Sequence, residues 1–134
     1  MFNTVANKKI AIFGFAFKAN TGDTRESPAI AISNMLLDEH AQLAITDPKA
    51  LTHAREDLKA YSEKVCFSTD PYETVQDADA IVVLTDWDLY KTLDYERIFK
   101  AMRKPAFCFD TRNCLDGAML KQIGFQFCGI GKPS

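Results

Sequence analysis

Short apolar runs alternate with helical patterns along this chain, and that alternation constrains the fold more than any other feature. The runs are continuous rather than amphipathic, as expected for strands buried on both faces. Strands are predicted at 9–14, 42–46, 65–68, 80–85, 106–109 and 125–128. Helices are predicted between them at 28–40, 51–61, 71–76, 95–102 and 115–123. This order predicts a doubly wound α/β domain with a mainly parallel, Rossmann-like sheet and helices on both faces.

The composition is typical of one soluble globular domain that occupies residues 1–134. Of the 134 residues, 47% are hydrophobic and 25% are charged, which is the usual balance for a packed domain. A net charge of −2 and a pI near 5.6 argue against a nucleic-acid surface. No apolar run approaches the roughly 20 residues that a membrane helix needs. We therefore expect a cytoplasmic protein that binds neither nucleic acid nor membrane.

The four cysteines form no CxxC pair, so their spacing predicts no zinc site. Cys66, Cys108 and Cys128 fall in apolar strands, where a free cysteine usually behaves as a small buried hydrophobe. Cys114 lies in a polar turn beside Arg112, and an arginine can lower the pKa of a thiol. No histidine lies near Cys114 in the sequence, so we expect no catalytic role for it.

The segment 11–28, AIFGFAFKANTGDTRESP, is the strongest candidate for a binding site. An apolar strand ends at Gly14, a polar loop follows with Lys18 and Arg25, and a helix opens at Pro28. Ligands of a parallel α/β sheet gather outside the carboxyl ends of its strands. A cationic loop at such a strand end therefore predicts a site for an anion.

This loop lacks the fingerprint of an ordinary dinucleotide site. The run GFAFKA at 14–19 has alanine and lysine where the glycines of GxGxxG are expected. Asp47 is a candidate ribose-binding acid, but Asp47-Pro48 is equally explained as a turn and helix start. An ordinary NAD half-site is therefore not expected. Phe15 and Phe17 either belong to the core beneath the loop or form an apolar wall for a sugar or base.

Two further loops follow predicted strands. Arg112 adds a third cation, and Asp110 and Asp116 are close enough in sequence to pair with it. Trp87 follows the most hydrophobic strand and is interpreted as a lid on the core. The two histidines lie away from any serine or cysteine nucleophile, and the carboxylates lack metal-loop spacing. We expect a binding domain with no catalytic residue and no metal.

At these positions the sequence resembles the C-terminal, UDP-binding domain of the UDP-glucose/GDP-mannose dehydrogenase family. The resemblance rests on five motifs in order, which together cover essentially the whole chain. They are GFAFKANTGDTRESPA from Gly14, ITDPK from Ile45, TDW from Thr85, LDYERI from Leu93 and KPAFCFDTRN from Lys104. Within the family, the motifs look most like those of the animal-type enzymes that act on UDP-glucose.

The resemblance implies an enzyme that oxidises UDP-glucose to UDP-glucuronate with two NAD+ in successive steps. It implies that Phe17, Lys18 and Arg112 contact the UDP-sugar and that Arg25 reaches the NAD bound on another domain. In the family, an N-terminal NAD domain, its catalytic cysteine and a long central helix complete the enzyme, and their motifs do not occur in this chain. We therefore expect one domain of a longer enzyme, not catalytic by itself, whose full form is a homo-oligomer.

Two alternatives stay open at this point. The same domain could serve a sister enzyme that oxidises GDP-mannose or UDP-N-acetylmannosamine, because only pocket contacts separate these substrates. The chain could also be a free-standing, non-catalytic module that binds a nucleotide.

Overall fold

The computed structural model describes residues 6–16 and 28–129 of the chain. Its strands are β1 (Lys9–Phe13), β2 (Gln42–Thr46), β3 (Val65–Ser68), β4 (Ala80–Val83), β5 (Phe107–Asp110) and β6 (Gln126–Gly129). Its α-helices are α1 (Pro28–Asp38), α2 (Leu51–Asp57), α3 (Pro71–Thr74), α4 (Tyr95–Ala101) and α5 (Gly117–Ile123). Two 3₁₀ helices lie at Lys59–Lys64 and Asp88–Lys91. Within the described ranges, no helix is long and apolar enough to cross a membrane.

The six strands form one sheet in the order β3-β2-β1-β4-β5-β6, and every neighbouring pair is parallel. The chain first moves outward from β1 to β3 and then returns to place β4 on the other side of β1. The point between β1 and β4 is therefore the topological switch point, where a doubly wound sheet opens a crevice for ligands. The predicted doubly wound, Rossmann-like sheet is confirmed.

Helices cover both faces of this sheet. Residues paired across neighbouring strands point to the same face of the sheet, whereas consecutive residues in a strand point to opposite faces. The pairings link Phe67 in β3 to Cys128 in β6, so Phe127, which is next to Cys128, points to the face opposite Phe67. Arg55 of α2 lies over the Phe67 ring, whereas Gly117 of α5 packs against the Phe127 ring. The two halves of the chain thus place their helices on opposite sides, as right-handed crossovers require.

Burial of the strands follows their place in the sheet. β1 is central, and its residues from Ile10 to Phe13 are at most 2% exposed. Cys108 of β5 is buried as expected, but Cys66 and Cys128 are exposed, so the prediction that they are buried is wrong. They lie in β3 and β6, which form the two edges of the sheet and have a neighbouring strand on one side only.

Three helices begin with an aspartate that accepts a backbone hydrogen bond from the first turn. Asp70, Asp94 and Asp116 accept from Tyr72 N, Arg97 N and Met119 N at the starts of α3, α4 and α5. The predicted cap and proline at Asp70-Pro71 are confirmed. Asp116 serves as a helix cap, and the ion pair found for Arg112 is made with another residue. The predicted helix at 51–61 is shorter, because α2 gives way to the 3₁₀ helix after Asp57.

Candidate functional site

The residues of the candidate site lie at the carboxyl edge of four adjacent strands. The register places the strand ends level with one another, because Phe13 is paired with both Thr46 and Val83, and Val83 is paired with Asp110. The segments that leave these ends are 14–16 after β1, 47–50 after β2, 84–87 after β4 and 111–115 after β5. They meet around the switch point, which is where such a fold binds its ligand.

Gly14 allows β1 and the end of β4 to approach each other closely. Its φ of +95° is one that residues with a Cβ rarely adopt, and its N–H donates to Thr46 O at 2.8 Å. A Cβ built on Gly14 would lie 2.4 Å from Thr85 Cβ and 2.8 Å from Thr85 N. The glycine is therefore required both by the backbone conformation and by the space between the strands.

Asp47 is a fully buried carboxylate that accepts five N–H hydrogen bonds. Its Oδ2 accepts from Phe15 N at 2.8 Å, Ala16 N at 3.0 Å and Trp87 Nε1 at 3.1 Å. Its Oδ1 accepts from Lys49 N and Ala50 N, each at 2.8 Å. In the described part of the chain, no lysine, arginine or histidine forms an ion pair with this carboxylate.

These bonds decide what Asp47 and the loop can offer a ligand. The aspartate does start a turn and a helix, as one interpretation of Asp47-Pro48 holds, but it also binds the β1 loop and Trp87. With both oxygens occupied, it has no place for a ribose hydroxyl. The N–H groups of Phe15 and Ala16, which in a dinucleotide fold could face a pyrophosphate, point to Asp47 instead. The described residues therefore do not fit an ordinary NAD site, because these two N–H groups are already bonded within the protein.

Thr85 and Trp87 complete the packing around the β1 loop. Thr85 Oγ1 donates to Ala16 O at 2.8 Å, so the two polar groups of Ala16 are held by β4 and by Asp47. Trp87 is only 6% exposed, which confirms its role as a lid on the core. Phe15 is fully buried, so the first of its two interpretations, a core residue beneath the loop, is the one observed.

Arg112 lies in a turn that is held by a second buried carboxylate. Asp110 Oδ1 accepts from Arg112 N at 3.0 Å, and Asp110 Oδ2 accepts from Leu115 N at 2.8 Å. Asp110 thus binds the Arg112 backbone, and the expectation of an ion pair between their side chains is wrong. The guanidinium Nη2 instead lies 3.8 Å from Asp86 Oδ1, with the two side chains 34% and 42% exposed. This loose pair leaves the guanidinium free to turn toward an anion.

Cys114 is held as a neutral thiol in the same turn. Partial burial raises its pKa to about 11, and the nearby charges of Asp110 and Asp86 add to this effect. The prediction that Arg112 lowers the pKa of this thiol is therefore wrong, because burial and then the two carboxylates raise it. A thiol of this kind is a poor nucleophile near neutral pH. Within the described residues, no group of three or more potential metal ligands is found either.

Three of the four predicted ligand contacts, Phe17, Lys18 and Arg25, lie outside the described residues. The structure does describe the residue directly before them, Ala16, which is fixed at the switch point. The fourth, Arg112, lies at the end of β5, two strands away from β1. The sequence did not predict the roles of Asp47 and Thr85, since their partners are 31 and 69 residues away from them in the chain. An aspartate directly after a predicted buried strand is the sequence signal that could have indicated the role of Asp47.

The fold and the position of the candidate site place this chain in the Rossmann-like class of α/β domains, whose ligands bind at the carboxyl ends of the strands. Comparison with known proteins identifies the particular family. Residues 11–117 match the model of the UDP-glucose/GDP-mannose dehydrogenase family, UDP binding domain. The chain belongs to this family.

Curated relatives in this family are similar over nearly the whole chain. A UDP-glucose 6-dehydrogenase of Pongo abelii is 54% identical and covers 98% of the chain, and one of Arabidopsis thaliana is 47% identical and covers 99%. The chain spans 29% and 32% of the lengths of these two relatives.

Two solved structures share the fold. A UDP-D-ManNAc dehydrogenase from Pyrococcus horikoshii superposes with a TM-score of 0.73 at 30% identity, and an NDP-N-acetyl-D-galactosaminuronic acid dehydrogenase from Methanosarcina mazei with 0.78 at 25%. Each match covers 96% of this chain and 26% of the solved chain. The doubly wound domain is thus a recurrent part of larger sugar-nucleotide dehydrogenases.

Proposed function

We propose that this domain binds the uridine diphosphate part of UDP-glucose within a UDP-glucose 6-dehydrogenase. The observation that carries the proposal is the identity of 44–54% to relatives of that name over 98–99% of the chain. In the proposed reaction, the C6 alcohol of the glucose is oxidised to a carboxylate and loses four electrons. Two NAD+ accept these electrons as two hydrides, and water supplies the second carboxylate oxygen.

The charges at the carboxyl edge support the binding of a diphosphate. The N–H groups of Phe15 and Ala16 are bonded to Asp47 and do not serve the phosphate oxygens, so we assign the phosphate contacts to side-chain cations. Arg112 offers a planar guanidinium that can donate two parallel hydrogen bonds to a phosphate. In our proposal, Arg112 leaves its loose pair with Asp86 for the diphosphate, and Lys18 meets the same group from the β1 loop.

The remaining assignments rest on the resemblance of the loop motif to the family and on the greater length of the relatives. We propose that Phe17 contacts the UDP-sugar together with Lys18, and that Arg25 reaches toward the NAD bound on another part of the full enzyme. The described residues contain neither an activated nucleophile nor a fitting NAD site, so the hydride transfers are assigned to that other part. A homo-oligomeric, cytoplasmic enzyme completes this proposal.

UDP-glucose is a better-supported substrate than the sugars of the sister enzymes. The relatives named UDP-glucose 6-dehydrogenase reach 54% identity, whereas the solved UDP-D-ManNAc dehydrogenase is 30% identical. Since sister enzymes differ mainly in pocket contacts, the higher identity favours the glucose nucleotide. A UDP-selective domain should discriminate against a purine nucleotide even where the sugar contacts are absent.

Isothermal titration at low salt tests this proposal. UDP and UDP-glucose should bind the chain and GDP should not, and Arg112→Ala should weaken UDP binding by about tenfold or more, the effect of one charge-assisted hydrogen bond. Arg103→Ala is the matched control, because Arg103 is an exposed cation that precedes β5, at the amino ends of the strands and far from the candidate site. Equal affinity for GDP and UDP, or an unchanged affinity in Arg112→Ala, would contradict the proposal.

A further inference from the structure

We propose that Asp47 is a positioning residue for the nucleotide-sugar site, and that it fixes the backbone from which Phe17 and Lys18 extend. This inference rests on the proposed function, since it assigns these two residues to the UDP-sugar. Asp47 itself contacts no ligand in this proposal, because its oxygens face backbone and indole N–H groups. It acts on binding through the β1 loop, with Thr85 as its counterpart on β4.

The hydrogen bonds of Asp47 converge on the residues directly before the predicted ligand contacts. Oδ2 accepts from the N–H of both Phe15 and Ala16, at 2.8 and 3.0 Å. Ala16 is the residue before Phe17, so the position of its peptide determines where the next side chains begin. A rotation of this peptide would change the direction in which the chain leaves the switch point toward Phe17 and Lys18.

A carboxylate suits this place better than its amide analogue. Five N–H groups point at Asp47, and a carboxylate has only acceptor atoms. In an asparagine, the NH₂ group would have to face either the β1 loop and Trp87 or the start of α2. Because the site is fully buried, the N–H groups left facing a donor would have no water to bind.

Thr85 fixes the next peptide, the one that contains the Ala16 carbonyl, from the other side of the switch point. Its hydroxyl donates to Ala16 O at 2.8 Å in a buried position. Ala16 is therefore held through its N–H by the end of β2 and through its carbonyl by the end of β4. The two bonds thus hold the peptide before Ala16 and the peptide after it, and we call this pair of bonds the Ala16 clamp.

Asp79 provides a matched comparison for a purely structural role. It is 7% exposed, and its Oδ2 accepts from Lys9 N at 2.9 Å at the amino end of β1. Asp79 thus binds the backbone at the amino end of β1, whereas Asp47 binds the backbone just after the carboxyl end of the same strand. If Asp47 only stabilised the fold, replacing either aspartate with asparagine would affect UDP binding equally little.

The experiment compares Asp47→Asn with Asp79→Asn in the same chain. Urea unfolding gives the stability of each variant, and titration with UDP is made where each remains folded. We expect Asp47→Asn to weaken UDP binding by about tenfold, the factor that follows if only a tenth of the folded chains keep the β1 loop in its binding conformation. Asp79→Asn should lose stability and stay within about twofold of the wild-type affinity. An unchanged affinity in folded Asp47→Asn would overturn the inference.

Hydrogen exchange separates this inference from the proposed function. Asp47→Asn should speed exchange at the amides of Phe15 and Ala16 well beyond the change at Lys9, with or without UDP. Faster exchange there in a chain that binds no UDP would support the clamp while refuting the proposed function. Unchanged exchange at both amides would overturn the clamp.

A second pair of variants covers the case in which Asp47→Asn does not fold. Thr85→Val removes the hydroxyl that holds the Ala16 carbonyl, whereas Thr85→Ser keeps it. We expect Thr85→Val to weaken UDP binding several-fold and Thr85→Ser to restore most of the affinity. Equal affinities in the two Thr85 variants would count against the clamp.

Discussion

Replacing Gly14 with alanine tests how closely the candidate site is packed. The added methyl group would meet the end of β4, with Thr85 Cβ at 2.4 Å and Thr85 N at 2.8 Å. Neither atom is the tip of a flexible side chain, so β1 and β4 would have to move apart. The φ of Gly14, +95°, would also become strained.

The expected loss of stability has two parts. An L-residue in a left-handed conformation costs about 1–2 kcal/mol. Overpacking in a rigid part of the core costs about 1–3 kcal/mol more. The backbone strain and the steric contact are separate costs and add to each other. We therefore expect Gly14→Ala to lower the free energy of unfolding by about 2–5 kcal/mol.

Urea unfolding followed by the fluorescence of the single tryptophan, Trp87, measures this loss. Gly117→Ala is the matched control, since its methyl group would lie 2.6 Å from Phe127 Cε2. That atom belongs to a half-buried ring on the edge strand β6, which can rotate away. Gly117 is also the first residue of α5, where alanine favours the helix, so we expect a change within about 1 kcal/mol.

The double variant Gly14→Ala with Thr85→Gly separates the two parts. Removing the Thr85 side chain should relieve the two shortest contacts, at 2.4 and 2.6 Å, and leave the contact with Thr85 N and the strain of the backbone. A loss below about 1 kcal/mol in Gly14→Ala, where strain alone predicts more, would refute the reasoning. An equal loss in Gly14→Ala and Gly117→Ala would refute it as well.

Two further predictions concern the titratable groups. The pKa of Cys114 is raised from 9.0 to about 11, and burial raises the pKa of Cys108 and Tyr90 as well, so the unfolded chain loses these protons first. The contribution of these neutral groups to the free energy of unfolding should therefore be fully present below about pH 9 and be lost as the pH rises toward 11. Equal urea midpoints at pH 8 and pH 10 would contradict this. Iodoacetamide at pH 8 should label the exposed Cys66 and Cys128 quickly and Cys108 only after unfolding, as peptide mass mapping would show. Early labelling of Cys108 would contradict its burial.

The strands and helices could be predicted closely from the sequence, because local patterns determine them. The boundaries of β2 and β3 agree with the prediction to the residue, since short apolar runs between turn residues mark both. The order of strands in the sheet does not appear in such patterns. The exposure of Cys66 and Cys128 follows from that order, and for this reason it was predicted wrongly.

The sequence predicts cations for the candidate site but not its buried acids, and the structure describes Arg112 but not Lys18 or Arg25. Lys18, Arg25 and Arg112 are recognisable because a cation in a loop after a strand suggests an anion site. Asp47 is different, since an Asp-Pro pair is locally explained by a turn and helix start. Its bonds to Phe15 and Ala16 depend on the approach of two strands that are far apart in the chain.

The clamp around Ala16 also links ligand binding to cooperative folding. Its two bonds join residues 31 and 69 positions apart, so the chain must return to β2 for the first bond and to β4 for the second before both can form. A partly folded chain would therefore contain the loop but not its geometry, and would bind the nucleotide poorly. A ligand that recognises only the complete domain stabilises it by mass action, by about 2.7 kcal/mol at a hundredfold excess over its Kd. Cellular nucleotide sugar would then slow the unfolding and turnover of the domain that binds it.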